Sequence, residues 1–290
     1  MPPRRRVPAI PLLLVAITTV QGGASLAKEL FPGLGASGAS GVRLVFATLV
    51  LFAAFRPRVW RFGRREWAAI APYGLALGGM NLAFYEALAR IPLGLAVTLE
   101  FVGPLGVALF GSRRPADIAW VILAGAGIAL IAPWEGSASS LDPLGVALAL
   151  LAGGCWALYI VAGGRVSRVL TEGESVTAGM LVATAVVLPF ALADGLVGRA
   201  TPALLGLGLV VAVLSSALPY TLEMFALRAL PSRTFGILMS LEPAVAALAG
   251  LVFLHEGLEP IHWLAVLCVC AASAGSALTA QAPAPAVEGS

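Results

Sequence analysis

Charge is what this sequence has least of. Only 11% of its 290 residues are Asp, Glu, Lys or Arg, while 59% are hydrophobic, and a soluble domain with that ratio could not cover its surface with polar groups. Two histidines, His255 and His262, are too few and too far from cysteine for a metal centre, and both read as surface residues. Three cysteines give no disulfide framework. Cys155 falls inside an apolar run, and Cys268 and Cys270 stand two apart, on different faces of a helix, so all three read as small packing residues. No HExxH, GxSxG, Walker A or dinucleotide glycine pattern occurs. Nothing therefore points to an enzyme, a cofactor or a metal. The net charge of +3 asks for no nucleic-acid partner, because the basic residues sit in short gaps between apolar runs.

What is there in quantity is membrane-length hydrophobic sequence. Ten runs, at 7–26, 35–55, 66–89, 91–111, 115–132, 142–163, 174–193, 202–227, 233–254 and 260–280, are each long enough for a tilted transmembrane helix. The fold class expected is an all-α polytopic membrane protein. Arg4, Arg5 and Arg6 ahead of the first run, with Ser25-Leu26-Ala27 near its end, resemble a secretory signal. The run is nevertheless long enough to span, and its removal would leave an odd number of helices, so it is read as the first span. Residues 1–6 form a basic cytoplasmic N-terminus, and the Pro/Ala-rich 281–290 a disordered cytoplasmic tail.

Orientation follows from the basic residues. With the N-terminus in the cytoplasm, fourteen arginines fall in inside segments, whereas only Lys28, Arg90 and Arg199 fall outside and Arg43 lies within a span. That asymmetry places both termini in the cytoplasm.

The span at 91–111 carries one ionisable side chain, Glu100, with Pro104 four residues on. A helix-interior proline lacks the N–H that would bond the carbonyl four residues back, so Pro104 frees the backbone oxygen of Glu100 itself. A mid-helix carboxylate costs roughly 2.5 to 3.5 kcal/mol on insertion scales, so both groups are expected to face a protein-lined or watery cavity. The pattern returns 139 residues later, where 226–250 laid over 87–111 matches Pro92 with Pro231, Pro104 with Pro243 and Gly111 with Gly250. Pro243 frees the carbonyl of Met239, the position paired with Glu100, and a second acid, Glu242, stands beside it. Two repeats are thus expected, 7–132 and 142–280. Five helices in each make the second enter the membrane upside down, the framework of alternating access with a site near the midplane.

Polar residues within the spans supply the candidate site. Arg43 and Glu100 could form a structural ion pair, or line a cavity where one meets a substrate carboxylate and the other an ammonium group or a proton. Glu86 stands four residues before Arg90 and reads as an interfacial pair. Asn81 and Tyr85 are four apart, Asn81 aligns with Tyr220 in the repeat, and Ser216, Tyr220 and Glu223 share one helical face. Trp156 and Tyr159 could form an aromatic wall. Gly74 and Gly78, Ala246 and Gly250, Gly22-Gly23 and Gly153-Gly154 read as close helix contacts.

These residues carry a resemblance. Two five-helix halves whose fourth and ninth helices each join an acid to a proline look like the drug/metabolite transporter superfamily with paired EamA domains. The segments TVQGGASLAKELFP (19–32), LALGGMNLAFY (75–85), IPLGLAVTLEFVGPLGVALFGSRRP (91–115), CWALYI (155–160), LSSALPYTLEM (214–224) and RTFGILMSLEPAVAALAG (233–250) resemble its bacterial threonine/homoserine exporters. The likeness covers nearly the whole chain, apart from the N-terminal arginines, the 135–142 and 168–176 loops and the tail. Glu86 departs from the aliphatic residue expected there. The resemblance implies an inner-membrane secondary transporter exporting small neutral amino acids, threonine and homoserine first, by proton antiport. Glu100, Arg43, Asn81, Tyr85, Gln21, Tyr220 and Trp156 would meet the substrate, Glu100, Glu223 or Glu242 would carry the proton, and Pro104 and Pro243 would break the helices. A broader drug or metabolite exporter of the same fold is the alternative, and a membrane-embedded transferase the remote one. The latter would want clustered His/Asp or paired acids at a membrane surface, and the acids here are scattered.

Overall fold

The apolar runs fold as helices whose ends are set by proline and by short polar caps. The structure, a computed structural model, describes residues 9–110, 115–131, 141–230 and 232–279. The basic segment 1–6, Arg113, Arg114, Pro231 and the tail 281–290 lie outside the described residues, as do the side chains of Tyr220, Arg228 and Arg233. In chain order the helices are α1 (Ala9–Lys28), α2 (Phe31–Phe55), α3 (Arg64–Leu88), α4 (Leu93–Glu100), α5 (Val102–Phe110), α6 (Pro115–Ile131) and α7 (Pro143–Val166). They continue with α8 (Glu172–Ala193), the one-turn α9 (Leu196–Arg199), α10 (Pro202–Ala212), α11 (Leu218–Ala229), α12 (Ser232–Met239), α13 (Glu242–Phe253) and α14 (Pro260–Thr279). No strand occurs among the described residues.

Proline stands in the first turn of α2, α7, α10 and α13, where its missing N–H is not needed. Asp142 caps α7 by accepting from the Leu144 amide at 2.8 Å, and Thr201 caps α10 through the Leu204 amide at 3.3 Å. Seven described helices are long and apolar enough to cross a membrane, counting α4 with α5 and α12 with α13 as single runs, and Ile118–Ile131 and Pro202–Ala217 are shorter apolar ones. α3 is 25 residues long but opens on Arg64, Arg65 and Glu66 and carries Asn81 and Glu86. The chain is an all-helical polytopic membrane protein.

Two backbone irregularities interrupt otherwise continuous helices. At Gly35 the chain takes φ 72°, a conformation that favours glycine, and α2 kinks between its first turn and Ala36. Between α10 and α11, residues Val213–Ala217 widen into a π-turn in which the Leu218 amide reaches back to the Val213 carbonyl. Pro219 accounts for this, since it offers no N–H to the Ser215 carbonyl one turn earlier.

The packing interleaves the two ends of the sequence. α3 lies on α7 and α8, α1 on α11 and α13, α10 on α2 and α5 on α7, while α2 faces α8, α4 faces α13 and α6 faces α14. α4 sits at the centre, and all eight of its residues are buried, Thr98 and Glu100 among them. Glycines set the closest approaches. A Cβ on Gly78 would come 2.8 Å from Cβ of Val186 on α8, and one on Gly153 would come 2.6 Å from the Glu100 carbonyl oxygen. A Cβ on Gly103 would strike the Gly153 carbonyl, whereas one on Gly106, three residues on, would meet nothing within 4 Å.

Gly103→Ala is therefore expected to destabilise the protein by about 1 to 3 kcal/mol, the usual cost of overpacking, and Gly106→Ala to stabilise it by up to about 1 kcal/mol, the helix-propensity gain of alanine over glycine. Thermal unfolding of detergent-solubilised protein, followed by size exclusion, compares the two; equal midpoints would mean that α5 is free to move off α7.

Candidate functional site

The site is built around the end of α4. Phe101 donates its amide to the Val97 carbonyl at 2.9 Å and Leu105 donates to Phe101 at 3.3 Å, but Pro104 leaves the Glu100 carbonyl without its donor. Gly153 of α7 covers that carbonyl. The Glu100 side chain is 7% exposed, and its carboxylate has no hydrogen bond or ion pair among the described residues. α12 repeats the bounds of α4 at an offset of 139 residues, ends at Met239, and is followed by a turn at Ser240 and Leu241 before α13 begins with Glu242 and Pro243. Glu242 is 5% exposed and lies within Coulombic range of both Glu100 and the half-buried Glu223.

Arg43 is the cation of this region. It makes no ion pair with Glu100, although it is the charge whose field Glu100 feels, and its own partners are neutral. Nη1 donates to Ser215 Oγ at 3.0 Å and Nη2 donates to Asn81 Oδ1. Asn81 in turn donates to the Leu77 carbonyl at 2.8 Å, and Ser215 to the Val211 carbonyl at 2.7 Å. The guanidinium stands 5.3 Å from the centre of the Tyr85 ring, a cation–π distance. Thus Arg43, Asn81 and Tyr85, from α2 and α3, come together, and Ser215 of the π-turn joins them.

Several buried polar atoms here have no partner among the described residues: Gln21 Oε1, Ser40 Oγ, Arg43 Nε, Tyr85 Oη and Ser216 Oγ. Each unsatisfied buried group costs about 1 to 3 kcal/mol, and they fall on α1, α2, α3 and the π-turn, where a polar ligand would satisfy them. Ser40 and Ser215 were not singled out from sequence. Pro219, which creates the π-turn, was the one signal that could have pointed to Ser215.

A second space adjoins the break. A cavity of about 400 Å3 is lined by Phe101, Pro104, Trp156, Phe235, Met239 and Ser276, among others, within the roughly 300 to 1,000 Å3 of small-molecule sites. Trp156 meets Phe101 edge-on, with ring centres 5.6 Å apart. Both broken helices thus contribute to the wall, through Phe101 and Pro104 on one side and Met239 on the other. Tyr159 instead stacks on Tyr73 at 4.6 Å.

At the other end of α4 the structure is tied shut. Lys28 Nζ meets Glu256 Oε1 at 2.5 Å, and the Leu93 amide, at the start of α4, donates to Glu256 Oε2 at 2.7 Å. Glu86 and Arg90 form their i,i+4 pair at 2.7 Å. His255 is exposed, but His262 is 7% exposed and buried; the surface reading fails for it because it stands on the inward face of the first turn of α14, whose Ile261 is exposed.

The comparisons with known proteins agree with this architecture. An EamA-like transporter family model matches residues 143–278. The threonine/homoserine exporter RhtA of Escherichia coli K12 is 48% identical over 94% of this chain and 92% of its own length. The chain belongs to the EamA-like transporter family. The RhtA exporter of Salmonella typhimurium LT2 is 49% identical to this EamA-like chain over 92% of the chain and 90% of its own. A crystal structure of a protein 19% identical shares the fold, with a TM-score of 0.60 over 93% of this chain and 96% of that one. An EamA-like transporter moves solutes and is not an enzyme.

The Lys28–Glu256 tie is largely shielded from solvent, with side chains 19% and 17% exposed, and it also holds the α4 amide. Glu256→Ala is expected to cost about 1 to 3 kcal/mol, against at most about 0.5 kcal/mol for Glu86→Ala. Unfolding midpoints of the two variants, measured side by side, check the difference.

Proposed function

We propose that this transporter exports small neutral amino acids, threonine and homoserine first, across the bacterial inner membrane in exchange for protons. The substrate class rests on the high identity to the RhtA exporters along nearly the full chain. The observation that carries the mechanism is the burial of Glu100, an acid without a partner among the described residues, at a helix break within the field of Arg43. A zwitterion needs a cation for its carboxylate, and the buried Nε of Arg43 is free to take it. It also needs an acceptor for its ammonium, which the Glu100 carboxylate and the carbonyl freed by Pro104 offer. Gln21, Asn81, Tyr85 and Tyr220 are the types that would meet a side-chain hydroxyl, and Trp156 walls the approach. A proton on Glu100 removes the charge that holds the ammonium, so proton and substrate compete for one group. That competition is antiport. Glu223 and Glu242 are further candidates for carrying the proton.

Alternating access would come from ten spans arranged as two inverted five-helix repeats, 7–132 and 142–280, with both termini in the cytoplasm. The helix pairing supports this reading because it is reciprocal. α3 on α7 mirrors α11 on α1, α3 on α8 mirrors α10 on α2, and α5 on α7 mirrors α13 on α1, while α2–α8 and α6–α14 join counterparts. In that orientation the cavity beside Pro104 opens toward the cytoplasm, and the Lys28–Glu256 tie closes the outer side.

A broader substrate range is the second reading, favoured by the aromatic and aliphatic lining of the cavity. Counterflow of labelled threonine in proteoliposomes separates the two: competition by homoserine but not by lipophilic cations is expected, and equal displacement by the cations would favour the broader exporter. In the same vesicles Glu100→Gln should abolish accumulation driven by a pH gradient while the protein remains inserted. Full gradient-driven activity in that variant would remove Glu100 from the mechanism.

A further inference from the structure

The linker between α2 and α3 presents charge that nothing in the described protein answers. Arg56, Arg58, Arg61, Arg64 and Arg65 lie within ten residues, all five are exposed, and none of their guanidinium groups has a hydrogen-bond or ion-pair partner among the described residues. Glu66, the acid nearest in sequence, spends its carboxylate on the Gly63 amide at 2.9 Å. Beside the arginines Trp60 is 76% exposed, while Trp67 is occupied edge-on with Phe62 at 6.2 Å. The segment has a fixed depth. α2 ends its apolar run at Phe55, and α3 begins at Arg64 before its own, so the turn of 3-10 helix at Val59–Arg61 sits where two spans leave the hydrocarbon.

An indole favours that level of a bilayer. Guanidinium groups pair with phosphate oxygens in a bidentate fork, and each basic residue near an anionic leaflet contributes to its attraction. Arg56 and Arg58 also line a polar cavity of about 390 Å3 together with Thr171, Gly173 and Glu174, whose carboxylate accepts from the Thr171 amide and hydroxyl at 3.1 and 2.8 Å. We infer that the α2–α3 linker is a binding surface for the phosphate headgroups of anionic phospholipids. The surface bears on transport because of what it joins. α2 carries Arg43, α3 carries Asn81 and Tyr85, and the Arg43–Asn81 bond ties the two helices at the site. Headgroups gripping the linker hold this pair in register from its membrane-surface end.

The inference is independent of the substrate and of proton coupling, so its test reads lipid binding first. The full chain is placed in nanodiscs of phosphatidylcholine alone or with about one-third phosphatidylglycerol, and thermal midpoint and retained lipid are measured. Phosphatidylglycerol should raise the midpoint of the wild-type protein and stay bound through detergent extraction. A triple Arg58→Gln, Arg61→Gln, Arg64→Gln variant should lose about fivefold in affinity per arginine removed, whereas the matching triple lysine variant should keep most of the response. If the glutamine variant fails to insert, the wild-type protein still decides: its phosphatidylglycerol shift should collapse between low salt and about 1 M, where screening reaches in to about 3 Å. A midpoint indifferent to phosphatidylglycerol, a glutamine variant that responds as the wild type does, or a salt-independent shift would overturn the proposal. An equal shift from inorganic phosphate added to phosphatidylcholine discs would assign the arginines to a free anion and overturn the lipid source.

Discussion

Pro104 takes away the amide that the Glu100 carbonyl would accept from, and hydrocarbon offers no replacement. Such a break survives only where protein surrounds it. α4 is buried on every face, and α7 reaches the bare carbonyl because Gly153 and Gly103 remove the side chains that would keep the helices apart. The same loss is met differently at Pro219. There the helix widens to a π-turn, and Ser215 anchors its hydroxyl to the Val211 carbonyl while accepting from Arg43. Of the ionisable groups buried in the core, Glu100 and Glu242 stand within four residues of a helix-breaking proline, and Arg43 bonds to the turn made by a third. The prolines place the polar groups, and the packing around them makes that placement affordable.

The separation of Arg43 from Glu100 matters as much as their burial. A closed ion pair between them would have to be broken by any ligand that engaged both, and removing one partner from a buried pair costs about 3 to 5 kcal/mol. Here the guanidinium rests on an amide, a hydroxyl and a ring. Neutral partners hold its direction while leaving its charge uncompensated. The acid is similarly uncommitted among the described residues. Two opposite charges kept within range but out of contact favour a ligand that carries both signs, since it meets each without first separating them.

Much of this was legible in the sequence because membrane insertion writes locally. Span positions follow from runs of apolar residues, and helices occupy nearly every stretch read that way, with Gly35 marking a kink inside α2 rather than its start. The break after Glu100 follows from one proline at one spacing. Partner choice was not legible, because it is decided by packing between residues far apart in the chain. Arg43 finds Ser215, 172 residues away, and Lys28 finds Glu256, 228 residues away; no local pattern in either segment announces the other. The same distance explains why an Arg43–Glu100 ion pair remained open from sequence, and why His262 looked like a loop histidine although it faces inward. The π-turn was half visible. Pro219 marks a disturbed helix, but whether the helix kinks, widens or ends depends on what packs against it.

The two copies of the break differ in their chemistry. At the shared offset of 139 residues, Glu100 answers to Met239 and Gly103 to Glu242. In the first copy the acid precedes the proline by a turn, and glycine lets α5 press onto α7. In the second the acid lies beside its proline, where glycine stood in the first, and Met239 lines the open cavity. Breaks so built cannot be energetically equivalent even where their backbones are alike. One break is sealed by close glycine contact, whereas the other holds a buried carboxylate within range of Glu100 and Glu223. Adding a proton or an ammonium group to this cluster changes the electrostatics at both breaks together. A change of charge at one acid is then felt at both breaks.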